Sequence, residues 1–423
     1  MWFYMQHVLI PHQQAEAALH GIPRGNLSDL YPRWLGAREL LLHHRDPYSP
    51  ESTREIQIGY YGRPLDPTRP TDPKDQQGFA YPVYVVFLLS PTVTLPFPVV
   101  QAGFRWFLVA LTFATVLLWL RTLRWRPSLT TTAILILLAL GSFQILQGIK
   151  LQQLSLLVAG LVAASALLLS ENYLAPTGIL LAVATIKPQL VFLLVGWLLL
   201  WAISDWHRRQ NFVWGLVSSM AVLLSAGEYV LPGWIGRFRD AVIAYRQYNE
   251  GAGSVLDVLL TPPWGRVLAG LVMLALAYTC WKFRRASTDS SAFNLMLVLV
   301  LAVTVVVVPK AAPYNQVLLL PGILLLAQNC QDLWRKNRLT RIILMICGLL
   351  IFWPWPAATA LTVAALFLPP ELVQKGWALP VWTSLAIPLA VVALLSSGFG
   401  EFTGAVIDNQ ADSAPEPTGS ATA

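Results

Sequence analysis

The stretch "LQQLSLLVAGLVAASALLLSENYLAPTGILLAVATIKPQL", residues 151–190, decides the fold. It contains two apolar runs, 152–170 and 173–187, each near the length at which an α-helix crosses a bilayer. A lysine followed by a proline, Lys187–Pro188, interrupts the apolar pattern. Because a charge at mid-membrane depth costs about 2.5–3.5 kcal/mol on insertion scales, Lys187 requires a counter-charge or an interface position.

Apolar runs of this kind recur through the chain after residue 100. Of the 423 residues, 56% are hydrophobic and 12% charged, and the mean hydropathy is +0.56. These features predict an all-α polytopic membrane protein with about 12–13 transmembrane helices. The candidate spans are 103–120, 129–147, 152–170, 173–187, 189–203, 211–231, 265–283, 292–309, 314–330, 340–356, 357–369 and 380–397.

The charged residues are concentrated near the N-terminus. Residues 11–78 hold 17 of the chain's 51 charged residues, so this segment is expected to lie in water. We interpret 1–398 as a single transmembrane domain with a long first loop at 11–80 and a second loop at 232–263. The tail, 399–423, is acidic and rich in small residues, which predicts disorder. Residues 1–10 are too short to cross a bilayer and are interpreted as the outer half of a first helix that begins upstream of Met1.

Basic residues in short loops predict the orientation. The candidate spans place four basic loops on one side, which is therefore expected to be cytoplasmic. The opposite short loops carry only Lys150, Lys187 and Lys310. Both long loops then lie outside, provided that 80–100, with its three prolines, forms a re-entrant or surface-lying segment. The basic loops are "RTLRWRPS" (121–128), "WHRR" (206–209), "KFRR" (282–285) and "WRKNRLTR" (334–341).

A short helix is expected to begin in the first outer loop at Asp29, capped by Ser28. Its apolar face would consist of Leu30, Trp34, Ala37 and Leu41, which predicts an amphipathic helix on the outer membrane surface. An acidic residue at this position is favoured by the helix dipole. The same dipole keeps a carboxylate ionised, as a catalytic base requires. The residues alone leave both interpretations open.

Several function classes lack support. Cys280, Cys330 and Cys347 form no zinc or disulfide spacing. A P-loop, GxGxxG, GxSxG and Asp-x-Asp are all missing from the sequence, so nucleotide and nucleotide-sugar chemistry is not indicated. The net charge of +7 is explained by the basic loops, and no nucleic-acid partner is expected. The sequence indicates no cofactor and leaves open whether a divalent ion assists.

Four blocks carry a family resemblance. "SDLYPRWLGARELLLHHRDPYSPE", "FAYPVYVVFLLSPTVTLP", the stretch quoted first and "PKAAPYNQVLLLPGILLL" resemble, in order, the bacterial integral-membrane glycosyltransferases of family 87. These are polyprenol-phosphate-mannose-dependent mannosyltransferase relatives with the GT-C architecture. The resemblance implies a lipid-linked donor, chemistry on the extracytoplasmic face and an essential aspartate in the first outer loop, which Asp29 matches. Gln153 falls at the family's Gly-Gln, with Gln152 in place of the glycine.

The candidate catalytic residue is therefore Asp29. Lys187 is either a phosphate-binding cation or a lysine that extends from a helix end to the interface. Glu228 either pairs with a lysine or assists the acceptor, and Tyr314 and Asn315 suit a sugar or an interfacial helix start. His43 and His44 are expected to be solvated. The candidate substrate-binding residues are Arg33, Gln153, Lys187, Glu228, Lys310, Tyr314 and Asn315.

The expected function is inverting transfer of a sugar, by the family's default mannose, from a polyprenyl-phosphate donor to a lipid or glycan acceptor. The expected location is the extracytoplasmic face of the bacterial plasma membrane, among membrane lipids. Two alternatives remain: a multi-helix transporter or lipid flippase, and a non-catalytic scaffold of an envelope-assembly complex.

Overall fold

The computed structural model describes residues 1–19, 28–66, 68–73, 75–248, 253–309 and 311–397. Within these ranges every regular element is helical and no strand occurs. The predicted all-α membrane class is thus confirmed. Lys310 and the tail 399–423 lie outside the described residues.

Most of the helices follow one another along the chain with short connections, whereas a long connection joins Tyr61 to Val85. Residues 386–397 are also helical. A π-helical turn spans Met5–Leu9, and 3₁₀ segments span Ser90–Thr92, Pro188–Leu190, Pro313–Leu319 and Leu379–Val381. The α-helices are α1 (Trp2–Tyr4), α2 (Ile10–Leu19), α3 (Tyr31–His43), α4 (Pro50–Tyr61), α5 (Val85–Leu89), α6 (Phe97–Thr122), α7 (Leu129–Gly141), α8 (Phe143–Lys150), α9 (Leu154–Ser170), α10 (Leu174–Ala184), α11 (Phe192–Ile203), α12 (Trp206–Val230), α13 (Trp234–Tyr248), α14 (Val255–Leu259), α15 (Pro262–Lys282), α16 (Ser291–Val307), α17 (Leu320–Gln328), α18 (Cys330–Lys336), α19 (Arg338–Phe352), α20 (Pro354–Phe367) and α21 (Pro370–Lys375).

Five described segments are long and apolar enough to cross a membrane: Phe97–Thr122, Trp206–Val230, Pro262–Lys282, Arg338–Phe367 and Pro370–Ser397. Two bent helix pairs raise the number to seven, and four further apolar helices are shorter. The sequence predicted about twelve full spans. The difference arises because several apolar runs are broken; α7 and α8, for example, meet at an angle of 57°.

The predicted spans 340–356 and 357–369 are wrong as separate elements, because α19 and α20 form one continuous segment. The joining residue, Trp353, keeps helical dihedral angles (φ −48°, ψ −42°). Pro354 stands in the first turn of α20, where the missing N–H is tolerated. The "WPWP" sequence therefore does not separate two membrane crossings.

The crossing of α10 and α12 is held close by two glycines. A Cβ on Gly178 would lie 2.4 Å from the carbonyl oxygen of Phe212, and one on Gly215 would lie 2.3 Å from that of Ala175. Small residues at such positions let helix backbones approach within the membrane. This contact positions α10, whose C-terminal end leads to Lys187.

The first outer loop begins differently from the prediction. Helix α3 starts at Tyr31 and not at Asp29, and Ser28 Oγ accepts a hydrogen bond from the Leu30 amide at 3.3 Å. Asp29 lies in the preceding turn, and its own amide donates to the Leu151 carbonyl at 2.8 Å. This hydrogen bond holds the turn against Leu151, which follows α8. Asp29 therefore does not become the first residue of α3.

Helix α3 is also more enclosed than a surface-lying amphipathic helix. Glu39 is only 4% exposed and contacts both His43 and Arg45. A Cβ on Gly36 would come within 2.3 Å of the Phe79 ring. The reason is that α4 and α5 pack against it, so polar residues of α3 are buried by the rest of the loop.

The prolines of segment 80–100 predicted that it would not form one continuous helix, and it does not. It contains the five-residue α5 and the 3₁₀ turn Ser90–Thr92 before α6 begins at Phe97. The Trp34 indole donates to the Thr92 carbonyl at 3.1 Å, and its ring lies 5.1 Å from that of Phe97. The segment thus closes the outer loop over the start of α6.

The predicted grouping of basic loops is confirmed for three of them. Arg124 pairs with Asp289, and the Trp201 indole donates to the Ala286 carbonyl at 2.9 Å. Arg209 donates to the Arg284 carbonyl at 3.2 Å. These contacts gather the loops near the C-terminal end of α6, whereas the first outer loop packs against Phe97 at its N-terminal end.

Replacement of Gly215 by alanine should force α10 and α12 apart. Overpacking of this kind costs about 1–3 kcal/mol, so the melting temperature of the purified protein in detergent should fall. Gly196→Ala is the matched control, since a Cβ on this helical glycine meets no atom within 4 Å. Equal melting temperatures for the two variants would contradict the close crossing.

Candidate active site

Three side chains from distant parts of the sequence form a hydrogen-bonded chain. The Asp29 carboxylate accepts a hydrogen bond from Gln153 Nε2, and the Tyr60 hydroxyl donates to its other oxygen at 3.5 Å. Gln153 Oε1 accepts in turn from Lys187 Nζ at 3.3 Å. A carboxylate and an ammonium group are therefore joined through one amide.

Lys187 is buried in a polar environment. Its side chain is 6% exposed, and Nζ lies 2.5 Å from Ser155 Oγ and 5.0 Å from the centre of the Tyr314 ring. Ser155 donates to Asn315 Oδ1 at 2.9 Å. Lys187 does not extend along the surface to water; its partners come from Gln153, from Ser155 of α9 and from the 3₁₀ segment at 313–319.

The turn before α9 brings Gln153 to Asp29. Gln152 adopts a left-handed conformation (φ 49°), which costs a non-glycine residue roughly 1–2 kcal/mol. Its buried amide donates to the carbonyls of Ile149 and Lys150 at 2.8 and 2.6 Å. The glycine that the family resemblance implies at this position would adopt the conformation without strain, and Gln152 compensates through these hydrogen bonds.

Arg33 places a second cation at the site. Its Nη1 donates to the Asp29 carbonyl at 2.9 Å, and its guanidinium lies 4.5 Å from the centre of the Tyr81 ring. Arg33 Nε is buried and has no hydrogen-bond partner among the described residues. Burial acts to lower the pKa of Arg33, but attraction from Tyr81 and Asp29 outweighs it and raises the pKa. The guanidinium therefore remains charged and retains an unused donor.

The structure brings together most of the predicted site residues: Asp29, Arg33, Gln153, Lys187, Tyr314 and Asn315. Glu228 is elsewhere; it is exposed at the end of α12 and accepts from the Gly233 amide at 2.7 Å. This bond closes the turn after the helix, and Glu228 makes no ion pair with any described lysine. Lys310 lies in one of the gaps between the described ranges.

Sequence reasoning missed three tyrosines. Tyr60 bonds Asp29, Tyr81 stacks on Arg33, and Tyr245 lies close enough to both Arg33 and Tyr81 to interact electrostatically. Tyr81 belongs to a block that carries the family resemblance, which was a usable signal. Tyr60 and Tyr245 stand in polar segments without any recognisable motif.

A cleft of about 800 Å³ lies between the first outer loop and α13. Tyr245 forms part of its wall and connects it to the Arg33 end of the site. The wall includes Arg63, whose hydrogen bonds to Asp72 lower the pKa of that carboxyl group to about 2. Other polar lining residues are Arg54, Gln57, Asp66, Arg69, Asp75, Gln76 and Gln77.

Direct contacts beside this cleft also join the first outer loop to α13. Arg237 of α13 pairs with Asp46 at 2.8 Å, and the Trp234 and Tyr84 rings meet edge to face with centres 5.8 Å apart. Within the described ranges, no group of three His, Cys, Asp or Glu residues could hold a metal ion. The arrangement provides a carboxylate, two cations and a polar cleft, which suit proton abstraction beside a departing anion.

The family model described as Glycosyltransferase family 87 matches residues 79–309, more than half of the chain. No curated protein and no solved structure matches. The matched range includes Gln153 and Lys187, whereas Asp29 and Arg33 precede it. Asp29 is connected to the matched range by its hydrogen bonds to Leu151 and Gln153.

Ser155→Ala should destabilise the protein, because it removes the nearest acceptor of Lys187 Nζ and leaves a buried charge less well satisfied. The expected cost is about 1–3 kcal/mol, read as a lower melting temperature in detergent. Ser165→Ala is the control, since this buried serine of the same helix donates only to the Leu161 carbonyl one turn earlier. Equal shifts for the two variants would contradict the role given to Ser155.

Proposed function

This chain belongs to glycosyltransferase family 87, a family of GT-C membrane glycosyltransferases, and from that premise we propose that it transfers a sugar from a polyprenyl-phosphate donor. The acceptor is a hydroxyl group of a lipid or glycan, and the sugar is mannose. The reaction takes place on the extracytoplasmic face of the bacterial plasma membrane. The observation that carries this proposal is the hydrogen-bonded chain from Asp29 through Gln153 to Lys187.

In the proposed reaction Asp29 is the general base. Its carboxylate removes the proton from the acceptor hydroxyl while that oxygen attacks the anomeric carbon. The new bond joins the acceptor oxygen to this carbon, and the bond to the phosphate oxygen breaks on the opposite side, which inverts the anomeric configuration. Polyprenyl phosphate leaves with the bonding electron pair. A positioned base contributes about 10²–10⁴-fold to such a step.

The contacts of Asp29 suit this role. Gln153 and Tyr60 fix the carboxylate by hydrogen bonds, and the backbone of Asp29 is fixed by Leu151 and Arg33. Preorganisation of this kind avoids reorientation during the reaction.

Arg33 and Lys187 stabilise the departing phosphate. Arg33 retains a buried Nε donor, and a guanidinium can bind phosphate through two hydrogen bonds. Lys187 is fixed by Ser155 and Gln153 and acts at short range through its charge, which is effective in a site shielded from water. Lys310, which immediately precedes the described segment 311–397, is proposed as a further cation for the phosphate.

The cleft beside Tyr245 is proposed to hold the polar part of the acceptor. Its glutamines and arginines offer hydrogen bonds that suit hydroxyl groups, and its volume of about 800 Å³ accommodates a small glycan. Tyr314 and Asn315 then contact the transferred sugar, because Tyr314 lies beside Lys187 and Asn315 accepts from Ser155, a partner of Lys187.

The extracytoplasmic location is supported by charge. The basic loops that Arg124, Trp201 and Arg209 hold together lie at the end opposite Asp29, and basic loops favour the cytoplasmic side.

Incubation of the purified protein with labelled polyprenyl-phosphate mannose and a membrane lipid extract tests the function. Covalent transfer supports the enzyme, whereas translocation of the lipid without transfer would support a flippase.

Asp29→Asn should abolish transfer while membrane expression stays at the wild-type level, because the amide keeps the size of the side chain and removes the base. Asp240→Asn is the control, an exposed outer carboxylate that pairs only with its neighbour Arg239. Transfer is measured with the labelled donor. Activity retained in Asp29→Asn would place the base elsewhere.

Lys187→Met should raise the KM for the polyprenyl-phosphate donor more than the KM for the acceptor, because the lost charge faces the phosphate. A tenfold change in donor use corresponds to about 1.4 kcal/mol. Lys282→Met, at a helix end in a basic loop, is the control. An equal rise of both KM values would count against a role toward the phosphate.

A further inference from the structure

A second pair of cations lies on the other side of the turn that carries Gln153. Lys150 ends α8, and Arg105 lies in α6, close enough for its positive charge to act on the Lys150 ammonium. Lys150 Nζ and Arg105 Nε are both buried and have no hydrogen-bond partner among the described residues. Neither side chain forms an ion pair within those ranges. Two positive charges thus lie near each other, and each has a buried N–H group without an acceptor.

The position of Arg105 makes this pairing costly. It stands eight residues after Phe97, the first residue of α6, which is about 12 Å along the helix axis. Trp106, the next residue, is 71% exposed on a segment apolar enough to span the membrane. A cation at membrane depth is rare, and it is normally paired with an anion or placed on a ligand path. Here the protein supplies no anion from its described residues.

The surroundings of Lys150 and Arg105 fit a ligand that has both a phosphate group and hydroxyl groups. Gln147, one turn before Lys150 on α8, has a buried Oε1 without a donor in the described part of the chain. Trp2 lies with its ring centre 5.1 Å from Lys150 Nζ and is 37% exposed. The cluster therefore offers N–H donors for phosphate oxygens, an acceptor for a hydroxyl and an aromatic side at the lipid boundary.

The cluster is connected to the candidate active site without being part of it. Gln101, one turn before Arg105, donates to Gln152 Oε1 at 3.3 Å. Gln152 in turn donates to the Lys150 carbonyl at 2.6 Å. The carbonyl of Leu151, which follows Lys150 in the chain, accepts from the amide of Asp29. A ligand at Lys150 would therefore act on the turn that holds Asp29 and Gln153.

We propose that Lys150 and Arg105 bind the phosphate of an anionic lipid that reaches them from the bilayer. Polyprenyl phosphate and an anionic phospholipid such as phosphatidylglycerol share this chemistry. The site stands on the two unpaired cations and does not depend on the role of Asp29. It gives the protein a lipid-phosphate site separate from the one proposed at Arg33 and Lys187.

The test is native mass spectrometry of the full chain in detergent, titrated with phosphatidylglycerol, diacylglycerol, polyprenyl phosphate or polyprenol. All proteins carry Asp29→Asn, so that binding is read without turnover. The affinity of one bound phosphate lipid should fall at least tenfold in Lys150→Met and in Arg105→Met. The lipids without phosphate should bind weakly to every protein.

Lys282→Met is the matched control, a lysine that ends α15 with its Nζ 5.8 Å from the Phe283 ring centre. It should bind as the Asp29→Asn parent protein does, and Lys150→Arg should retain binding. Lys150→Met should also be no less stable in delipidated detergent, since it removes an unpaired buried charge.

Loss confined to polyprenyl phosphate supports a site for the carrier lipid, and loss for both phosphate lipids supports a general anionic-lipid site. Unchanged affinity for both phosphate lipids in Lys150→Met and Arg105→Met overturns the proposal. So does equal binding of polyprenol and polyprenyl phosphate. Because no transfer is measured, failure here is distinct from failure of the proposed reaction.

Discussion

The hydrogen bond between Asp29 and Gln153 joins the charged first loop to the membrane helices. Gln153 also accepts from Lys187, and the backbone of Asp29 is bound by Leu151. A carboxylate in the outer loop and an ammonium buried behind α9 therefore share one amide. Arg33 and Tyr60 contact Asp29 from within the same loop, so this link also brings them to the side of the site where Gln153 and Lys187 lie.

The proposed acceptor and the proposed lipid donor use different groups of the site. The cleft between the outer loop and α13 is lined with polar groups and is the proposed site of the acceptor. The cations Arg33 and Lys187 are the groups proposed to bind the phosphate of the lipid carrier. Opposite charges held a few ångströms apart in a partly buried site attract more strongly than they would in water. The proposed chemistry uses this separation of base and leaving-group cations.

Some of the site could be predicted from the sequence. Lys187 was found because a lysine in an apolar run is costly, and Asp29 because its block resembles family 87. Tyr60 and Tyr245 could not be found, because aromatic residues in polar loops have many ordinary structural roles. The helical class was predictable from hydropathy, but the number of spans was not, because apolar length does not reveal bends such as the one between α7 and α8. The start of α3 was misplaced because Leu151, distant in sequence, binds the amide of Asp29.

The central claim is that the acceptor hydroxyl and the anomeric carbon of a lipid-linked sugar meet at Asp29. A cryo-electron microscopy structure of Asp29→Asn with polyprenyl-phosphate mannose bound tests it most directly. The account predicts the sugar's anomeric carbon within a few ångströms of residue 29, with room for an acceptor oxygen about 3–3.5 Å from that carbon, and the phosphate beside Arg33. A donor bound with its sugar at the opposite, basic end of the helices would contradict it.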